Sequence, residues 1–488
     1  MSAVSQGPVE RQGAEMIGRE SRLQRLVMVY IITGLLFLVL PGTFLGVWNL
    51  LSISAQHTVS SLSPAWIQAH GHAQIFGWLG TFILGIGFYS LSKMGNLPPF
   101  AVSRGWICYA LWTAGVMLRW MTGIAERDWR IALPVSALLE LAGFLLFFMT
   151  VSAHRPGGPP RKKEPWMLVV ISSTFGFLAT LAVNLAVAVW MAVRGEGPAV
   201  PMILDQRLLM LPMWGFLVTT VWGFNARWLP VFLGLRQPKA RPLYVAVLAA
   251  WAAVASMLCG FGRLAVALLP LAALAAIVGL GVFERAKQPA KVKGVHRSFP
   301  AFVRGAYVWL LIASVLSIAG EIFDRQGGIW GASRHALTVG FLATMVFAIG
   351  SRILPAFCGM RVLFSPTLMF GALLLLNCGC VLRVGSEILA YEGYASWAWS
   401  VLPVSAVIEL AAVTLFAANL AVTFLRPPAH LATAVTARPW RDASAVIVDM
   451  ATRPDDRLKF KAAVGECGDL AAISDAPFDA VLRRPDKG

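Results

Sequence analysis

Seven histidines occur in this 488-residue chain, and three of them, His70, His72 and His335, fall where the flanking sequence is apolar. A neutral imidazole carries one nitrogen lone pair that binds transition metals, and it titrates near neutrality. Ionisable groups inside an apolar span are costly and usually functional. Four more meet that description: Arg119 and Glu140, then Arg383 and Glu409. Each Arg and Glu pair reads as an ion pair, because removing one partner strands a charge in low dielectric. The alternatives are an anion-binding arginine and a glutamate on a proton path. Met210, Cys358 and Met360 supply soft sulfur donors of the kind that suits copper. His70 and His72 stand two residues apart, about 200° around a helix, so they cannot both face one ligand.

The elements that hold these residues are transmembrane helices. The composition is 58% hydrophobic and 13% charged, against about 45–50% and about 25% in soluble domains. A spanning helix needs about 20 largely apolar residues. Twelve such stretches are expected, near 25–50, 68–92, 101–121, 132–153, 166–193, 206–232, 242–260, 264–283, 302–323, 333–357, 366–390 and 396–425. They divide the chain into an N-terminal segment (1–24), a membrane domain (25–425) and a polar linker with a small soluble tail (426–488). The tail contains a lone Cys467. Residues 1–24 read as polar and mixed in charge rather than as a leader. No cysteine spacing resembles a disulfide or zinc framework.

The net charge of +17 does not indicate nucleic-acid binding, because the basic residues sit in short connections and the tail. Counted with the adjoining helix ends, the N-terminus and the connections after even-numbered helices hold 22 Lys and Arg, and those after odd-numbered helices hold 7. That bias predicts cytoplasmic termini in a bacterial inner membrane. The second, sixth and tenth helices then run inward, with His70, His72 and His335 near the outer face.

The chain also repeats itself. Trp214–Arg236 aligns with Val339–Arg361 at an offset of 125, with 11 identities in 23 ungapped columns. The second and tenth helices align at 263, placing His72 on His335 and Gly77 on Gly340. Met210 is the matching residue of the sixth helix. Leu133-Pro134-Val135-Ser136-Ala137 with Glu140 recurs as Leu402-Pro403-Val404-Ser405-Ala406 with Glu409; the eighth helix keeps Leu269-Pro270 but has Ala276 in the glutamate place. The reading is an all-α membrane protein of three four-helix pseudo-repeats, at about 25–153, 166–283 and 302–425. Arg227 and Arg352, each in an Arg-x-Leu-Pro context, read as snorkelling to the inner interface.

Twelve helices in three units of four resemble subunit I of the haem–copper oxidases, as does the segment Gln68-Ala-His-Gly-His-Ala-Gln-Ile-Phe-Gly-Trp78. The segment Arg334-His-Ala-Leu-Thr-Val-Gly340, continuing to Arg352, is similar to the NnrS family of haem- and copper-containing membrane proteins of the nitric-oxide response. That family's usual His-Ala-His-Glu run stands here as His70-Gly-His72-Ala. The resemblance implies a haem, b-type, whose iron is held by His72 or His70 on one side and His335 on the other. Arg119 and Arg383 are candidates for its propionates. It also implies copper as a second cofactor. It implies a role in nitric-oxide metabolism, sensing or protection from nitrosative stress, with the lipid bilayer and a small gas as partners. A membrane oxidoreductase subunit of the oxidase or nitric-oxide reductase type, fed by a quinol or cytochrome, is the first alternative. A cofactor-free transporter is the second. An oxygen-reducing centre is not expected: the oxidases' copper histidines are replaced by Leu209-Met210-Leu211-Pro212-Met213, and the seventh helix has no histidine.

Overall fold

The computed structural model describes residues 8–94, 100, 102–153, 164–359 and 361–426. Met360, Cys467 and the tail lie outside them. The described residues form twelve long helices and no strand. Three helices are continuous composites: α1 (Pro8–Phe37, Leu38–Phe44, Leu45–Gln56), α2 (Pro64–His72, Ala73–Gly80, Thr81–Met94) and α10 (Gly328–His335, Ala336–Ala343, Thr344–Phe357). In α6 (Met202–Leu208, Leu211–Val218, Thr219–Leu233), Leu209 and Met210 join the first two pieces. The rest are α3 (Val102–Ala125), α4 (Trp129–Ala153), α5 (Pro165–Arg194), α7 (Ala240–Leu258), α8 (Gly262–Leu280), α9 (Phe299–Phe323), α11 (Pro366–Tyr391) and α12 (Ala398–Leu425).

Eleven of the twelve are long and apolar enough to cross a membrane. The exception is α3, at 24 residues, which carries Arg104 and Arg119. Large apolar side chains stay exposed around the outside, Leu36, Phe175, Leu248, Val315 and Leu425 among them. In lipid such a surface carries no penalty.

Helices α2, α6 and α10 begin four to five residues earlier than hydropathy predicts. Local chemistry sets those starts. Ser63 Oγ accepts Ala65 N–H ahead of Pro64 at the first helical position, the N-terminal arrangement in which proline's missing donor is harmless. At α10, Asp324 accepts the N–H groups of Gly327, Ile329 and Trp330, and Glu392 accepts those of Arg325, Gln326 and Gly328. Gly327 has φ +86° there, a left-handed conformation that favours glycine.

Helix hairpins α3–α4, α7–α8 and α11–α12 pack side by side, and α12 returns against α1, closing the ring. Inside it stand α2, α6 and α10. Their apolar windows are 83%, 78% and 78% buried, against at most 56% in the other spans. All three change from α to π geometry at matching places, 73–80, 211–218 and 336–343. Those starts are separated by 138 and 125 residues, and the second separation equals the offset of the sequence alignment. A π turn bonds i to i+5 and re-aims the side chains before it. The glycine of each π segment marks a close approach. A Cβ on Gly77 would lie 2.8 Å from the Phe37 ring, and one on Gly340 would lie 2.5 Å from the Trp309 ring.

Candidate functional site: imidazoles near the N-terminal ends of the inner helices

His70 and His72 occupy the last α turn of α2 before the π segment. Gln68 anchors that turn by bonding both main-chain groups of Val200, at 2.7 and 2.9 Å, in the connection leading to α6. The two imidazoles then diverge. His70 Nδ1 lies 2.9 Å from the carbonyl oxygen of Gly42, in the π segment of α1. Only glycine fits at position 46, since a Cβ there would be 2.6 Å from His70 Cε1. His70 also interacts through space with His335 and Arg383.

His72 turns toward the α3–α4 hairpin. Its Nε2 is 2.8 Å from Oε1 of Glu140, which has no exposed surface. Asn184 Nδ2 stands 3.5 Å from the other carboxylate oxygen. Gly115 makes room for Glu140, whose Cγ a Cβ would meet at 2.8 Å. The expected Arg119–Glu140 ion pair is therefore corrected. Arg119 interacts through space with Glu140 and Asp205, but the direct bond of Glu140 goes to His72 because the imidazole is nearer.

His335 closes the first α segment of α10. Its Nδ1 is 2.9 Å from the carbonyl oxygen of Gly331, one turn back, and 2.9 Å from Oε2 of Glu387. The expected Arg383–Glu409 pair is also corrected. Arg383 bonds Glu387, one turn along α11, through Nε at 3.3 Å and Nη2 at 3.4 Å. Glu387 is the residue that the sequence reading missed. Its signal was the i,i+4 spacing from Arg383, which favours pairing on one helix face. The repeat comparison hid it, because α3 has Gly123 at the matching position. Glu409 sits over Gly379 as Glu140 sits over Gly115. It feels His335 and Arg383, yet its Oε1 has no hydrogen-bond partner.

The sulfur candidates lie elsewhere. Met210 is buried, one residue before the π segment of α6. Cys358 follows α10 at its C-terminal end, opposite to the histidines, and Met360 is outside the described residues. No group of three His, Cys, Asp or Glu stands close enough to hold a metal ion among the described residues. Arg227 and Arg352 sit near the C-terminal ends of α6 and α10: Arg227 Nη1 is 3.7 Å from Glu164, and Arg352 donates to the Lys293 carbonyl over the Phe232 ring.

Two of the three imidazoles keep a ring nitrogen free to ligate a metal. In His70 and in His335, Nδ1 faces a main-chain carbonyl, which fixes the proton there and leaves the Nε2 lone pair for a metal. Neither Nε2 has a hydrogen-bond partner among the described residues. His72 does not fit that role as placed, because its Nε2 is engaged by Glu140. Near His335, Arg383 Nη1 and Glu409 Oε1 are buried without a hydrogen bond. Buried polar atoms are normally satisfied, so these two mark a place for a polar ligand such as a carboxylate or water.

Fold and site together define a polytopic, all-helical membrane protein with intramembrane imidazole–carboxylate clusters. Residues 162–423, more than half of the chain, match the family described as a domain of unknown function, DUF8744, and the chain belongs to that family. The match spans α5 to α12 and leaves out the α2 histidines. No curated protein matches the chain.

Proposed function

We propose that this is a haem-binding inner-membrane protein of NnrS-like type, serving the handling or sensing of nitric oxide, with His70 and His335 as the axial ligands. The observation that carries the reading is the shared hydrogen bonding of the two rings, each with Nδ1 2.9 Å from a main-chain carbonyl oxygen. A bound haem would supply a redox-active iron whose potential depends on its axial ligands and their hydrogen bonds. Glu387 then raises the basicity of His335 through Nδ1, as carboxylates do for metal-bound histidines. Arg383, whose Nη1 is buried without a hydrogen bond, offers a charged donor to a carboxylate. The nitric-oxide link rests on the resemblance of Arg334–Gly340 to that family. The Lys and Arg bias supports cytoplasmic termini, with the imidazoles toward the outer face.

The test is a reduced-minus-oxidised absorption spectrum of the purified protein. His70→Ala and His335→Ala should each abolish or strongly shift the haem bands, whereas His72→Ala should retain them. Bands that survive the joint loss of His70 and His335 would overturn the assignment.

A further inference from the structure

A partly open cavity lies between the three inner helices, which alone line it, on the C-terminal side of the π turns. Its wall repeats with the fold. Leu79, Leu217 and Leu342 form one ring, and Ile83, Val221 and Val346 form the next. Each ring takes one residue from α2, α6 and α10 at the repeat offsets of 138 and 125. No charged side chain reaches it. Two polar side chains in the wall, Thr220 and Asn225, bond elsewhere: Thr220 Oγ1 to the Phe216 carbonyl at 2.8 Å and Asn225 Nδ2 to the Tyr307 hydroxyl at 2.9 Å. A water needs two to four polar partners to settle in a cavity, and this wall offers almost none.

The cavity volume is about 90 Å³. Apolar cavities of roughly 150 Å³ lined by Leu, Ile and Phe stay dry and take up benzene or xenon. The present one is smaller, so size excludes drug-sized ligands and admits single atoms and diatomics. We propose that this cavity is a binding site for small uncharged apolar gases, the class that includes nitric oxide, dioxygen and xenon. The choice of nitric oxide as the natural occupant rests on the function proposed above; the site itself rests on the shape and chemistry of the wall.

Xenon is the probe. Pressurised crystals of the full-length protein should show a xenon peak between Ile83, Val221 and Val346. Val346→Phe, alone or with Val221→Phe, should abolish that peak. Ile349→Ala, which enlarges the cavity, should keep or raise its occupancy. Ordered water in the cavity, or xenon confined to the lipid-facing surface, overturns the proposal. Should the filled variants fail to fold, the parent and Ile349→Ala still decide, since no xenon in the cavity of either overturns it. A xenon peak in protein without haem bands supports the cavity and removes the haem reading. Haem bands without xenon in the cavity do the reverse.

Discussion

His72 Nε2 and Glu140 Oε1 meet at 2.8 Å in a place almost closed to solvent, and the middle repeat has Met210 and Ala276 at the same two positions. The protein thus contains its own control for a polar pair replaced by an apolar one. Breaking a buried pair by removing one partner costs about 3–5 kcal/mol, whereas replacing both is often neutral. Glu140→Ala should therefore lower stability by about that amount, and adding His72→Met should restore much of it. Thermal unfolding in detergent for both single variants and the double variant gives the coupling. Strictly additive losses would show that the bond contributes nothing.

The start of α10 depends on two carboxylates that accept six main-chain N–H groups between them. Loss of one helix cap costs about 1 kcal/mol. Asp324→Ala should cost about that or more, and by loosening the turn that carries His335 it should also reduce haem content. Absorbance per mole of protein measures this. Unchanged haem content alongside a lowered melting temperature would uncouple the cap from the site.

Close approaches by glycine are the most severe packing constraints. A Cβ on Gly176 would fall on the main chain of Gly215, inside contact distance. Backbone cannot move aside as a flexible side chain can. Overpacking costs about 1–3 kcal/mol and sometimes more. Gly176→Ala should sit at or beyond that upper end, and Gly371→Ala, where a Cβ meets nothing within 4 Å, should be neutral. Yields of folded protein and melting temperatures compare them.

Two cysteines at opposite ends of the helices test the orientation. Cys259, just after α7, is exposed, and Cys358, just after α10, is buried. Burial pushes the Cys358 thiol up to about 12, so little of it is the reactive thiolate near pH 8. A membrane-impermeant maleimide added to intact spheroplasts should label Cys259 and leave Cys358 unmodified. Labelling of Cys259 only after lysis would reverse the proposed topology.

Arg236 and Glu284 form a doubly bonded pair outside the spans, with Arg236 Nη2 2.6 Å from Oε1. Hydrogen bonding from Arg236, with Lys239 nearby, holds the Glu284 carboxyl below its ordinary value. A carboxylate depressed in the folded state stabilises it above the unfolded pKa of about 4.3. That contribution disappears as pH falls through the lowered folded value. The pair is exposed, so the effect is small and screened by salt. Arg236→Ala should melt slightly below the parent at pH 7 and equal to it in strong acid. A difference that grows with acidity would contradict the sign.

The twelve helices were legible because apolar runs of membrane length are a strong signal, and the counterparts of His72 and Gly77 in α10 fell out of one constant offset. What the sequence hid was angular. His70 and His72 are two residues apart, and periodicity alone does not say which of them faces α10. The structure sets His70 against the Gly42 carbonyl and His72 against Glu140. The π segments that set this aim have no composition of their own. Pairing the arginines with the repeated glutamates was reasonable, but it overlooked Glu387, which exists in one copy only.

Those π segments also bear on what the molecule can hold. They occur in all three inner helices, including α6, which has methionine where the others have histidine. The backbone break is therefore common property of the repeated unit, whereas the imidazoles belong to two copies out of three. The three copies share the geometry and differ in the chemistry, so exchange of side chains at 72, 210 and 335 changes what such a chain can hold without changing its backbone.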